Sequence, residues 1–223
     1  MTPPKRLFDI VCFDCDSTLS RIEGIDELAR RAGVEAEVAP LTAASMAGTL
    51  PLDAVYAERL AMVRPDRAAI DWLGRRYIEE LVPGAQETVA ALDRAGVPVH
   101  IVSGGLRLAI EPLAATLGVP ASHIHAVDMV FTEDGTYRDF DRQSPLVRPD
   151  GKGVVCRALA QDRASVALVG DGATDLAARA FGVFIVGFGG VARRDAMIRG
   201  SDIFIDGPEL TAVLPTLLGA EVR

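Results

Sequence analysis

A chain of 223 residues, 49% of them hydrophobic and 24% charged, is large enough to bury one full core, as a single domain or one with a substantial insertion. Its formal net charge of −8 argues against a nucleic-acid surface and against docking on anionic lipid; an acidic protein of this kind needs local cations to handle an anionic substrate. Three cysteines are too few for a disulfide framework and point to a reducing, cytoplasmic setting.

Residues 1–6 are polar, and Asp9 interrupts the apolar run that follows, so neither a signal peptide nor a membrane span is expected. The run over residues 7–13 has the character of a buried parallel strand. It ends in Asp14-Cys15-Asp16-Ser17-Thr18, which brings two carboxylates to the carboxyl end of a strand, where open α/β sheets hold their ligands. One carboxylate could attack while the other, two residues on, moves protons. Cys12 and Cys15 form a C-x-x-C, but there is no second pair, and Cys156, His123 and His125 do not stand at ligand spacing. Cys12 is therefore read as a small core residue.

Residues 20–86 carry helical stripes and no strand signal. Ile25, Leu28, Ala29 and Ala32 form the first stripe, closed by Gly33. Leu52, Val55, Tyr56, Leu60 and Val63 form a second, and Ala69, Ile70, Leu73, Tyr77 and Ile78 a third. This stretch reads as a helical insertion over the carboxyl end of the first strand.

After Pro83-Gly84 strands and helices alternate. A helix over residues 85–95 precedes a strand over residues 97–102, and Ser103-Gly104-Gly105 is expected to open a helix kinked at Pro112. A weak strand over residues 124–127 leads into a hairpin with an Asp134-Gly135 turn. A helix over residues 152–161, a strand over 166–169 ending in Gly170-Asp171, a strand over 183–186 and a last one over 203–205 complete the pattern. Such alternation predicts a parallel sheet covered on both faces.

Taken singly, Ser103 would be a helix cap, Lys152 a surface lysine and Asp171 a turn residue. Together they suit one reaction. Asp14, Asp16, Asp171 and Asp175 offer hard oxygen ligands for Mg²⁺, Ser103 with neighbouring backbone N–H groups suits a phosphate, and Lys152 can neutralise a transferring phosphoryl group. A competing pattern, Gly187-x-Gly189-x-x-Ala192 with Asp206 downstream, follows a strand as a dinucleotide fingerprint would. Too little chain follows it for a second nucleotide-binding half, so those glycines are read as shaping a loop beside the site.

Asp14-Cys15-Asp16-Ser17-Thr18, Ser103-Gly104-Gly105, Lys152 and Gly170-Asp171-Gly172-Ala173-Thr174-Asp175 resemble the four motifs of the haloacid dehalogenase superfamily. Arg21-Ile22-Glu23-Gly24-Ile25-Asp26-Glu27-Leu28-Ala29, Glu58-Arg59-Leu60-Ala61 and Gly187-Phe188-Gly189-Gly190 are similar to segments of its phosphoserine phosphatases, so the resemblance spans residues 7–218. It implies a Rossmann-like α/β core with a parallel central sheet (residues 1–19 and 87–223) and an inserted helical cap of the C1 type (residues 20–86).

The implied reaction is Mg²⁺-dependent hydrolysis of O-phosphoserine, the last step of serine biosynthesis, by a monomer or homodimer acting on a small phosphorylated amino acid. In that scheme Asp14 is the nucleophile and Asp16 the acid and base. The metal is held by Asp14, Asp171 and the backbone carbonyl of Asp16, with Asp175 in support. Ser103, Gly104, Lys152 and Thr174 surround the phosphoryl group. Glu23 meets the substrate ammonium and Arg59 its carboxylate, with Met46 and Gly48 nearby. Leu52 stands where the family often carries an aromatic, which implies a wider pocket wall. Transfer to homoserine, hydrolysis of another small phosphomonoester, and a phospho-accepting switch domain are the alternatives; a switch domain needs about half this length and no residue such as Asp16.

Overall fold

The computed structural model describes residues 7–161 and 164–219, so the expectation for residues 1–6 lies outside the described residues. Strand β1 (Ile10–Phe13) is followed by four helices, α1 (Gly24–Ala32), α2 (Glu35–Met46), α3 (Leu52–Val63) and α4 (Arg67–Glu79). Then come α5 (Ala85–Arg94), β2 (Val99–Leu106), α6 (Arg107–Leu117), β3 (Ile124–Val127), and the antiparallel pair β4 (Met129–Phe131) and β5 (Tyr137–Phe140). The chain closes with α7 (Gly151–Ala160), β6 (Val166–Gly170), α8 (Ala173–Ala177), β7 (Phe184–Phe188), α9 (Asp195–Gly200), β8 (Ile203–Ile205) and α10 (Leu214–Leu218).

Six strands pair in parallel in the order β3-β2-β1-β6-β7-β8. Val11, Cys12 and Phe13 of β1 are wholly buried, as a continuous apolar strand in the middle of such a sheet must be. The order reverses at β1: β2 and β3 lie to one side, β6, β7 and β8 to the other. Ligands of open α/β sheets bind at that reversal, outside the carboxyl ends of the strands. The carboxyl ends of β1, β2 and β6 therefore meet there and bring Asp14, Ser103 and Asp171 together. None of the described helices is long and apolar enough to cross a membrane.

Two sequence expectations need correction. The stretch after β1 holds four helices rather than three. The inward residues of α2 are Val38, Thr42 and Ser45, only one of them large and apolar, and Pro40 stands inside the helix. Periodicity of hydrophobicity cannot reveal such a helix; Thr42 is instead tied by a 2.6 Å hydrogen bond to Asp26 of α1.

The second correction concerns Ser103-Gly104-Gly105, which do not open a helix. β2 runs on to Leu106, and α6 starts at Arg107 and continues through Pro112 without interruption. Val102 faces His125 and Leu106 faces Val127, so Ser103, Gly104 and Gly105 bulge out of the β3 ladder. A bulge beside a site re-aims its residues, and here it frees them from strand pairing on that side.

At the amino end of β2 the three histidines gather. His100 Nδ1 lies 3.1 Å from His125 Nε2, and the His123 ring stacks on His100 with centroids 4.0 Å apart. Burial, reinforced by His123 and His125, pushes His100 down to about 4. Burial and the nearby Arg107 lower His125 as well. A depressed imidazole binds its proton more readily in the unfolded chain. The stability it contributes is therefore complete above the unfolded value of 6.5 and is lost as pH falls from there toward 4. Comparing the wild type with His100→Gln isolates this effect, because the raised carboxyl groups of the site bend both stability curves alike. Urea unfolding between pH 6.5 and 4 should show the wild type losing stability faster by up to one proton, about 1.4 kcal/mol per pH unit. Parallel curves would contradict the assignment.

Candidate active site

The site is built around a buried lysine. The start of α7 sends Lys152 inward, where Nζ lies 2.6 Å from Asp14 Oδ2 and 2.7 Å from Asp175 Oδ1. Lys152 and Asp14 are each 4% exposed and Asp175 is wholly buried. Burial opposes the ammonium charge, but Asp14 and Asp175 together outweigh it and hold the proton on Lys152. Asp14 follows β1 directly, its backbone N–H donating to the Val169 carbonyl of β6 at 2.9 Å, and Oδ1 accepts the Cys15 amide at 2.7 Å. Asp175 spends its second oxygen on the Gly172 amide at 3.0 Å.

Asp171, at the end of β6, completes the acidic group. Oxygens of Asp14, Asp171 and Asp175 lie within 4.8 Å of one another. Asp171 Oδ2 accepts from Arg194 at 3.0 to 3.1 Å, whereas its Oδ1 is buried with no hydrogen-bond partner among the described residues. Burial, with Asp14 beside it, raises the Asp171 carboxyl to about 8. An orphaned buried oxygen among hard carboxylate donors fits a divalent metal ion, which would satisfy Oδ1 and relieve the repulsion. Both oxygens of Asp14 and both of Asp175 already have a partner, so Asp171 is the member with an oxygen to spare.

Asp16 approaches the same point from the other side. Its Oδ1 accepts the Gly24 amide at 2.6 Å and the Tyr77 hydroxyl at 2.8 Å. Desolvation, with Asp14 next, raises this carboxyl to about 6 against the pull of those two donors and Lys152. Gly105 lies close to this carboxyl group, where an added Cβ would stand 3.1 Å from Asp16 Oδ2 and from Ile110, a tight fit.

Between these groups and helices α1, α2 and α3 lies a cavity. Of the residues expected from sequence, Asp14, Asp16, Glu23, Met46, Arg59, Ser103, Gly104 and Thr174 line it. Lys152, Asp171 and Asp175 stand behind its floor through the contacts above. Gly48, at a left-handed φ of 74°, stays outside the lining but sits against α8, where a Cβ would lie 3.2 Å from Ala173.

Two lining residues, Arg59 and Glu23, have bonding capacity to spare, and burial, with Asp16 and Asp171 nearby, pushes the Glu23 carboxyl well above the usual carboxylate range. Arg59 is 6% exposed and donates to Thr42 at 3.1 Å, yet its Nε has no partner and it makes no ion pair among the described residues. Glu23 accepts from the Ser17 hydroxyl at 2.8 Å and stands 3.5 Å from Arg194. Leu52 and Tyr56 form part of the apolar wall, and the Tyr56 hydroxyl donates to the Gly104 carbonyl at 2.9 Å, tying α3 to β2.

Sequence reasoning missed Arg194, Tyr56 and Tyr77 as parts of the site. Arg194 lies in the loop after Gly189-Gly190, which is expected beside the site for its glycines and not for a charged partner of Asp171. Asp206, the acidic partner in the competing glycine pattern, is paired instead with Arg193 at 3.1 Å. Tyr56 and Tyr77 carry no signal of their own, because buried tyrosines on helical stripes read as core.

The profile of the haloacid dehalogenase-like hydrolase family matches residues 11–179. A mouse protein named phosphoserine phosphatase is 40% identical over 191 residues, 83% of this chain and 85% of the relative. The chloroplastic phosphoserine phosphatase of Arabidopsis thaliana is 35% identical over 92% of this chain and 73% of its own length. A solved substrate-bound phosphoserine phosphatase complex superposes with a TM-score of 0.81 at 26% identity, covering 96% of this chain and all of the other. With its four motifs assembled at the reversal of a parallel sheet, this chain belongs to the haloacid dehalogenase-like hydrolases, in the branch of the phosphoserine phosphatases.

Proposed function

We propose that the protein hydrolyses O-phosphoserine to serine and phosphate through an aspartyl-phosphate on Asp14, with Mg²⁺ as its metal, in the cytoplasm and as the closing step of serine biosynthesis. The observation that carries the substrate is Arg59. A buried guanidinium without a carboxylate partner among the described residues, facing a cavity, is costly unless a ligand supplies the missing anion. Glu23 on another part of the lining offers the opposite charge. The pair suits an amino acid's carboxylate and ammonium.

Asp14 attacks phosphorus while the bond from phosphorus to the seryl oxygen breaks, and Asp16 gives that oxygen its proton. Asp16 then takes a proton from a water whose oxygen attacks the same phosphorus, releasing phosphate and restoring Asp14. Lys152, Ser103, Gly104 and Thr174 hold the phosphoryl oxygens, and Lys152 offsets their charge. Mg²⁺, held by the side chains of Asp14 and Asp171 and the Asp16 backbone carbonyl, adds charge neutralisation at the phosphoryl group when bound. Asp175 keeps Lys152 in position.

Residues 20–86 act in this reading as a cap over the core of residues 1–19 and 87–223. Its two connections run side by side, with Arg21 N–H donating to Glu80 at 2.8 Å and Val82 N–H to Leu19 at 3.0 Å. Closure over the substrate excludes water during the first transfer and completes the site.

Removal of divalent ions with a chelator should abolish phosphate release, and Mg²⁺ should restore it; full activity in metal-free protein would contradict the metal assignment. Arg59→Ala should lower kcat/KM for phosphoserine about 100-fold, roughly 3 kcal/mol for a lost charged hydrogen bond. Phenyl phosphate, which has no carboxylate, should be turned over by both proteins alike. Equal losses on the two substrates would assign Arg59 to cap structure, and no loss on either would leave the substrate reading without its main support.

A further inference from the structure

Tyr77 is a buried side chain that touches a reacting carboxylate, and the mechanism above has no use for it. It belongs to α4, is 1% exposed, and places its hydroxyl 2.8 Å from Asp16 Oδ1. The Gly24 amide reaches the same oxygen at 2.6 Å. Two donors converging on one oxygen fix the rotation of a carboxyl group. They leave Oδ2, the oxygen beside Gly105, as the one open to the cavity.

We propose that Tyr77 is a positioning residue for proton transfer, holding Asp16 so that the proton given to the leaving oxygen sits on Oδ2. The inference rests on the reading of Asp16 as acid and base, and goes beyond it by naming what orients that acid. Three facts of geometry support it. Gly24 is the only residue type that fits, because a Cβ there would stand 2.0 Å from the Tyr77 hydroxyl and 3.2 Å from Asp16 Oδ1. The Tyr77 ring is packed in the core, which fixes the direction in which its hydroxyl points. Helix α4 packs along α6 of the α/β core, which gives Tyr77 a mount there and not only among the other inserted helices. A general acid contributes on the order of 10²–10⁴ to rate, and misorienting its proton forfeits part of that.

A leaving group that departs without a proton removes the need for Asp16 in the first transfer, and kcat/KM reports that step. The test compares phenyl phosphate with p-nitrophenyl phosphate, which differ mainly in the basicity of the departing oxygen, with phosphoserine alongside. Tyr77→Phe keeps the ring and removes the hydroxyl. It should lower kcat/KM about tenfold for phosphoserine and phenyl phosphate while p-nitrophenyl phosphate stays within about twofold. Gly24→Ala, which displaces the same hydroxyl with the ring retained, should give the same selective loss between the two aryl phosphates. It serves as the second variant if melting shows Tyr77→Phe to be poorly folded. Asp16→Asn should show the pattern more deeply, by about 10²–10³. If Asp16→Asn discriminates between the aryl phosphates while Tyr77→Phe and Gly24→Ala lower both equally or neither, Tyr77 is ordinary core and the inference falls alone. If Asp16→Asn fails to discriminate, the acid role of Asp16 falls and the inference with it.

Discussion

The charge on one buried lysine is the constraint on which the rest of the site depends. Asp14, Asp171 and Asp175 stand within 4.8 Å of one another with little water between them. Two like charges at that distance repel by roughly 3–4 kcal/mol even at an effective dielectric constant near 20. Lys152 between Asp14 and Asp175, with Arg194 on Asp171, makes the cluster tolerable. The compensation is incomplete: Asp171 keeps an unpartnered buried oxygen, and its carboxyl is pushed up to about 8. The deficit of positive charge at that oxygen is what a metal ion and the phosphoryl-binding groups would answer. Sheet order follows from the same need, since only a central β1 flanked by β2 and β6 brings these groups to one point.

The inserted helices act on the site at two levels. From α3, Arg59 faces the cavity, and the Tyr56 hydroxyl fastens that helix to the bulged end of β2 through Gly104. From α4, Tyr77 reaches past the cavity wall to Asp16 itself. In the proposed mechanism one contact would read the substrate and the other would address the chemistry. The two helices differ in mounting as well: α4 packs along α6 of the α/β core, whereas α3 packs on α1 and α2 and meets the core at residues 145–147 and through Tyr56.

Much of this was legible in the sequence because it follows from strand chemistry. Apolar runs ending in Asp14, Ser103 and Asp171 announce strands and what lies at their carboxyl ends, and the alternation after residue 84 announces the parallel sheet. What stayed hidden involves residues whose local pattern says nothing about their partners. Ser103-Gly104-Gly105 reads as a helix opening, and only the mismatched register against β3 reveals the bulge. Helix α2 is masked by Pro40 and by small inward side chains. Arg194 lies in a loop, and Tyr77 falls on a helical stripe that any core tyrosine would satisfy. Their partners Asp171 and Asp16 lie 23 and 61 residues away, beyond the reach of periodicity.

The central claim is that Asp14 becomes covalently phosphorylated. Rapid quenching of the Mg²⁺-loaded protein with phosphoserine labelled in its phosphoryl group tests it most directly, followed by mapping of the label. The account predicts transient label on the peptide that carries Asp14, released by hydroxylamine as an acyl phosphate, with serine appearing before phosphate. Serine and phosphate appearing together, with no label on the protein at any time, would contradict it.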